Sequence, residues 1–154
     1  MDSVKKTVKF QGITVKIDRP KGTVQTGKDS KGKPWRREYL YDYGFLPKTD
    51  GGDGEGVDVF LGNDPHAHTA FWVVQKKEDG SFDEFKAFLG FKKKSEAVKA
   101  YKQHIPEKFM GSVLALPVAM ISSMLGRAPV LTKVAAGAFL DEMNTCLEST
   151  HGNY

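Results

Sequence analysis

The sequence predicts an α+β protein with its strands first and its helices last. Three observations carry this. Apolar residues alternate with polar ones in short runs as far as Leu89, as half-buried strands require. From Ser95 onward the pattern is helical, with Pro106, Pro117 and Pro129 dividing it, so the C-terminal half is expected to be helical. The 154 residues hold no internal repeat and no low-complexity linker, which suits a single domain over 1–154.

Val8 and Phe10, then Ile13, Val15 and Ile17, alternate around Gln11-Gly12 and predict two short strands joined by a turn. Residues 20–34 read as loop, with Pro20, Gly22, Gly27, Gly32 and Pro34. Residues 44–56 carry five glycines and read as the most irregular backbone in the chain. Strands follow at Val57 to Leu61, Thr69 to Lys77 and Phe82 to Leu89. Ser95 is placed to cap a helix running to about Lys102. Leu114 to Leu125 reads as a helix offset near Pro117, and Pro129 opens a last helix to about Leu147.

Charge is distributed in blocks. Residues 1–40 hold 11 Lys+Arg against 4 Asp+Glu, residues 41–85 hold 3 against 10, and residues 86–154 hold 9 against 5. The net charge of +4 therefore hides an acidic centre between basic flanks. One cysteine, Cys146, excludes an internal disulfide. No apolar run follows the N-terminal lysines, and the longest apolar stretch is shorter than the ~20 residues of a membrane helix. A cytoplasmic protein without a membrane partner is expected.

The acidic centre is the most informative segment. Asp53, Glu55 and Asp58 fall within six residues, separated by glycines that let several carboxylates converge. Like charges so close are either solvated or neutralised by a cation. With oxygen donors alone, that cation is hard, Mg²⁺ or Mn²⁺ before Zn²⁺. An EF-hand fails: from Asp53, position six is Asp58 where glycine is needed, and position twelve is Asp64. On the loop alone, metal binding and an ordinary Asp/Gly turn weigh equally.

A second acidic cluster holds Asp79 and Asp83-Glu84-Phe85-Lys86. On a strand, Glu84 and Lys86 share one face while Phe85, Ala87 and Leu89 take the other. Tyr101-Lys102 ends the first helix, and Lys16, Arg36 and Arg37 lie in the basic N-terminal third. All can contact phosphate, Arg in bidentate fashion. Taken singly, each is better read as a surface charge or a packing residue. The same holds for His66 and His68, the run Lys92–Lys94, Trp35 and Trp72.

Together these residues carry a resemblance. Tyr43-Gly44 followed by Asp53-Gly54-Glu55-Gly56-Val57-Asp58-Val59 resembles the signature of soluble family I inorganic pyrophosphatases. Asp79, Glu84 and Lys86 fall at the spacing of that family's later acid, acid and lysine. Tyr101-Lys102 looks like its phosphate-holding Tyr-Lys pair, and Lys16 with Asp18 is similar to its early Lys-x-Glu. The match covers roughly residues 13–102, and residues 111–154 lie outside it. Phe82 to Phe91 is similar to a stretch of compact pyrophosphatase-like domains in phage and mobile-element proteins. Glu55 stands where the family has Asp, Gly56 where it has Pro, Glu84 where it has a metal-binding Asp and Asp18 where it has Glu. The family's phosphate-binding Arg matches both Arg36 and Arg37, and the compact relatives often carry Arg where Gln25 sits.

The resemblance implies a small five-stranded OB-like β-barrel with helices packed outside. It implies Mg²⁺-dependent hydrolysis of pyrophosphate to two phosphates, with Mn²⁺ as the alternative ion. Asp53, Glu55, Asp58, Asp79 and Glu84 would hold metal, and Lys16, Arg36 or Arg37, Lys86, Tyr101 and Lys102 would hold phosphate. Tyr43 would position a ligand and Glu55 would activate water. Family members are often oligomers, so a homo-oligomer is carried as an implication. Two rivals stand beside this reading: a hydrolase of another phosphoanhydride such as a nucleotide, and a non-catalytic module binding nucleic acid or a partner. The acidic centre disfavours nucleic acid.

Overall fold

The structure, a computed structural model, describes residues 3–47 and 56–127. Strands β1 (Lys6–Phe10) and β2 (Ile13–Arg19) form the expected hairpin, with Gln11 and Gly12 both at positive φ. A two-residue hairpin turn needs that conformation to match the strand twist. Strands β3 (Val24–Lys28) and β4 (Pro34–Glu38) form a second hairpin, paired only with itself. Then come β5 (Asp42–Leu46), β6 (Val57–Leu61), β7 (Thr69–Lys76), β8 (Phe82–Leu89), helix α1 (Lys94–His104), β9 (Met110–Pro117) and helix α2 (Val118–Arg127). The large sheet runs β1-β2-β5-β6-β8-β7-β9, with β6 and β8 parallel and every other neighbouring pair antiparallel.

Two clusters pack on opposite faces of this sheet. One holds Val15, Ile17, Val57, Val59, Trp72, Phe85, Ala87, Leu89, Leu114 and Leu116, joined by Val118 and Ile121 of α2. The other holds Tyr39, Tyr43, Phe60, Val73, Phe88 and Phe91, covered by Ala97, Ala100, Tyr101 and Ile105 on and just after α1. His104 ties α1 to the approach of β5: its Nε2 accepts the Leu40 N–H at 3.0 Å, while Nδ1 lies 2.6 Å from the Ala100 carbonyl. This second face also carries a polar row. In register across four strands stand Lys16, Phe45, Asp58 and Lys86.

Several expectations need correction. The described residues form nine strands in two sheets, and the large sheet is open between β1 and β9; it is not a closed five-stranded barrel. Residues 24–28 form a strand inside the segment 20–34 read as loop, and the strand 42–46 runs into the segment 44–56 read as irregular. Leu114 to Pro117 belongs to β9, and the helix begins only at Val118. Burying Leu114 and Leu116 against β7 contributes roughly 2 kcal/mol each, whereas helix propensities differ by only tenths of a kcal/mol per residue. The N-cap of α1 is Lys93, not Ser95, and no side chain caps it. The predicted last helix from Pro129 lies outside the described residues. Among the described residues, no helix is long and apolar enough to cross a membrane.

Candidate active site

Lys86 is the centre of the polar row. Its neighbours Phe85 and Ala87 point into the apolar cluster, so strand alternation sends Lys86 to the opposite face, as expected for β8. Parallel pairing with β6 puts Asp58 directly beside it. Glu84 lies two residues back on the same face. The Lys86 side chain is 8% exposed, and each of its three ammonium protons has a partner. It donates to the Tyr43 hydroxyl at 2.9 Å, to Asp58 Oδ2 at 2.9 Å and to Glu84 Oε1. Tyr43 in turn donates to Asp58 Oδ2 at 2.6 Å.

Charge states follow from this arrangement. Burial opposes the charge on Lys86, but the Tyr43 oxygen, Asp58 and Glu84 outweigh it and hold the ammonium well above its ordinary range. Burial pushes the Glu84 carboxyl up to about 7; Lys86 opposes this and Asp58 reinforces it. Burial also pushes the Tyr43 phenol up, so it stays a proton donor.

A second network closes the other wall of the cavity. The Tyr39 hydroxyl accepts from Arg19 at 3.0 Å and from Arg37 at 3.4 Å, and donates to Gln25 at 3.0 Å. The Arg19 guanidinium also lies 5.8 Å from the Tyr43 ring centre. Between the walls is a cavity of about 440 Å³, lined among others by Arg19, Arg37, Tyr43, Asp58, Glu84 and Lys86. Asp83 and Gln75 also line it; Gln75 donates to Asp83 at 3.0 Å and accepts from the buried Tyr101 hydroxyl at 2.8 Å.

An inorganic pyrophosphatase family profile matches residues 2–126. The chain belongs to the inorganic pyrophosphatase family. Among solved structures, one described as an inorganic phosphatase from Anaplasma phagocytophilum is similar over 71% of this chain and 68% of that one, at 21% identity and a TM-score of 0.29. No curated protein matches.

The pyrophosphatase signature residues can now be placed. Tyr43, Asp58, Glu84 and Lys86 converge on one cavity, and of the two candidate arginines it is Arg37 that lines it. Arg36 points the other way along β4, exposed and 3.6 Å from Glu38. Lys16 shares the sheet face, but Phe45 separates it from Asp58, two strands and roughly 10 Å away. Asp18 sits where β2 bulges, between Ile17 and Arg19. Lys102 is exposed and pairs with Glu107 at 3.1 Å. Asp79 lies in the β7–β8 turn, where its Oδ1 accepts the Ser81 N–H at 2.9 Å and the bonds from Ser81 hold its carboxyl below the usual range. Glu84 is five residues further on, roughly 15 Å along an extended chain. Asp53 and Glu55 lie outside the described residues.

Sequence reading missed Arg19, Gln25, Tyr39, Gln75 and Asp83. Plain alternation from Ile17 would send Arg19 into the core. The bulge between them instead aligns Arg19 with Tyr43 and turns it to the polar face. Asp83 had a visible signal, its place in the second acidic cluster. Asp79→Ala is expected to lower kcat/KM for pyrophosphate by no more than about twofold, because a turn Asp bonded to its own loop is replaceable by solvent; steady-state phosphate release measures this.

Proposed function

We propose that this protein hydrolyses inorganic pyrophosphate to two phosphates with the help of divalent cations, Mg²⁺ first and Mn²⁺ as the alternative. The observation that supports this best is the buried Lys86 held between Asp58 and Glu84 in a cavity shared with Arg19 and Arg37. Among the described residues lining it, three cations (Arg19, Arg37 and Lys86) balance three carboxylates (Asp58, Asp83 and Glu84) once Glu84 is ionised. A balanced cavity has little attraction for a dense anion. A cation seated on the carboxylates would tip it positive.

The donor set fits such an ion in kind: the carboxylates are hard oxygen ligands. No three His, Cys, Asp or Glu side chains among the described residues stand close enough together to hold a metal ion, so a complete cage would draw on Asp53 and Glu55 as well as Asp58 and Glu84. Bound divalent cations would supply positive charge for the phosphate oxygens and lower the pKa of the attacking water. Lys86 would donate to the oxygen on which charge develops, with Arg37 and Arg19 on the far side of the substrate. Tyr43 would orient Asp58, and Glu55 would take the proton from water. The apolar wall under Phe60 and Phe88 keeps these charges in a poorly solvated setting.

Two measurements test this reading. Phosphate release from pyrophosphate is expected with Mg²⁺ and should vanish with chelator; release unaffected by chelator contradicts it. A cation bound by Glu84 must also displace its proton. Affinity is therefore expected to fall about tenfold per unit as pH drops below 7 and to level off above it. Calorimetric titration near pH 6, in two buffers of different ionisation heat, should show proton release on binding; equal heats would remove Glu84 from the ligand set.

A further inference from the structure

We propose that the same site accepts a nucleoside diphosphate, its phosphates beside Lys86 and its base against Trp35. This rests on the phosphoanhydride reading above and names a wider substrate class for it.

Three observations point there. First, the Lys86 cavity adjoins a larger groove of about 790 Å³, and the two share Trp35, Arg37, Pro106 and Phe109 as walls. Pyrophosphate has no apolar atom with which to use an indole, a proline and a phenyl ring. A base and sugar do, and the groove by itself has the volume of a drug-sized ligand site. Second, Trp35 is 39% exposed although large aromatic rings are usually covered. Third, its orientation is built in. Trp35 pairs in register with Gly27, and a Cβ at Gly27 would come within 2.5 Å of the indole, so the ring lies directly on the glycine backbone. The Arg37 guanidinium stands 5.6 Å from the ring centre. An aromatic platform with a cation beside it is the arrangement that stacks a base and holds the phosphate attached to it.

The reaction balances as a hydrolysis. Water oxygen bonds to the terminal phosphorus, and the bridging P–O bond breaks. Nucleoside monophosphate and phosphate leave, and one proton passes to the base and then to solvent. No further reactant is needed.

The test compares phosphate release from ADP and from pyrophosphate, with Mg²⁺, in the wild type, Trp35→Ala and Trp35→Phe. It adds ADP titration followed by tryptophan emission in the wild type and Trp35→Ala; the change lost in Trp35→Ala reports Trp35, since the other tryptophan, Trp72, is 2% exposed and out of contact with ADP. The wild type should turn over both substrates. Trp35→Ala should lower the ratio of kcat/KM for ADP over pyrophosphate at least about fivefold, through KM, with Trp35→Phe restoring most of it. Pyrophosphate turnover without ADP binding, or an unchanged ratio in Trp35→Ala, overturns this proposal and leaves the pyrophosphate reading intact. Should neither substrate turn over, the pyrophosphate reading and the hydrolysis of ADP fail together. Saturable ADP quenching of Trp35 emission would then still support the platform, and its absence would refute it.

Discussion

Lys86→Met is expected to lower kcat for pyrophosphate about 10²- to 10³-fold, the scale of losing one preorganised donor to developing charge. Methionine keeps much of the length and apolar body of the side chain but removes all three donated bonds. Asp58 and Glu84 would then face each other without the ammonium between them. Stability should respond with a definite sign. Glu84 already holds its proton more tightly in the folded chain than in the unfolded one, and losing Lys86 strengthens that preference. The folded state then binds more protons than the unfolded state above pH 4.5, so stability falls as pH rises. Metal-free Lys86→Met should therefore be close to wild type near pH 5 and clearly less stable near pH 8. Denaturant unfolding at the two pH values measures this, and a uniform loss at both would contradict the charge assignment.

Gly44→Ala is expected to destabilise the fold by about 3 kcal/mol, at the upper end of overpacking effects. Gly44 stands opposite Ile17 where β5 meets β2. A Cβ there would lie 1.9 Å from the Lys16 carbonyl oxygen and 2.8 Å from the Ile17 Cα. Both are backbone atoms, so no rotamer relieves the clash and the strands must part. Tyr43 precedes this point and Phe45 follows it, so separation would displace the Tyr43 hydroxyl from Lys86 and Asp58. The Tyr-Gly pair thus combines a residue lining the cavity with the close approach that positions it. The expected result is a lowered unfolding midpoint together with reduced activity in the fraction that remains folded. A midpoint within about 2 °C of wild type would show that the sheet absorbs the methyl group at about 0.5 kcal/mol or less.

How much of this was legible in the sequence depended on local pattern. Strands β6 and β8 emerge with the boundaries the alternation gives, because each buries one face against a continuous core. That alternation also placed Glu84 and Lys86 together. Strands β3 and β4 show no such pattern, since this hairpin pairs only with itself and buries little. Strand β9 was hidden for the opposite reason: Met110 to Leu116 is apolar enough for helix or strand, and pairing with β7 decides between them. Among the residues lining the cavity, Tyr43, Asp58, Glu84, Lys86 and Arg37 are those that the sequence had singled out for the site. Arg19 was not, because a bulge reverses its side, and Tyr39 and Gln25 gain meaning only when the small hairpin folds over the large sheet's polar face. That Arg37 rather than Arg36 lines the cavity likewise follows from the facing of β4. Asp79 shows the converse: correct spacing along the chain does not bring a carboxylate to the cavity when a turn intervenes.

The most direct test of the central claim is phosphate release from pyrophosphate by wild type and Asp58→Asn across a Mg²⁺ titration. The amide would keep the shape of the side chain and its contact with Tyr43 but lose the charge that faces Lys86 and a cation. The expected result is Mg²⁺-dependent turnover in the wild type and a loss of about 10²-fold or more in the variant, with a higher Mg²⁺ requirement. A loss of only a fewfold with an unchanged Mg²⁺ requirement would contradict the placement of the reaction at Asp58, Glu84 and Lys86.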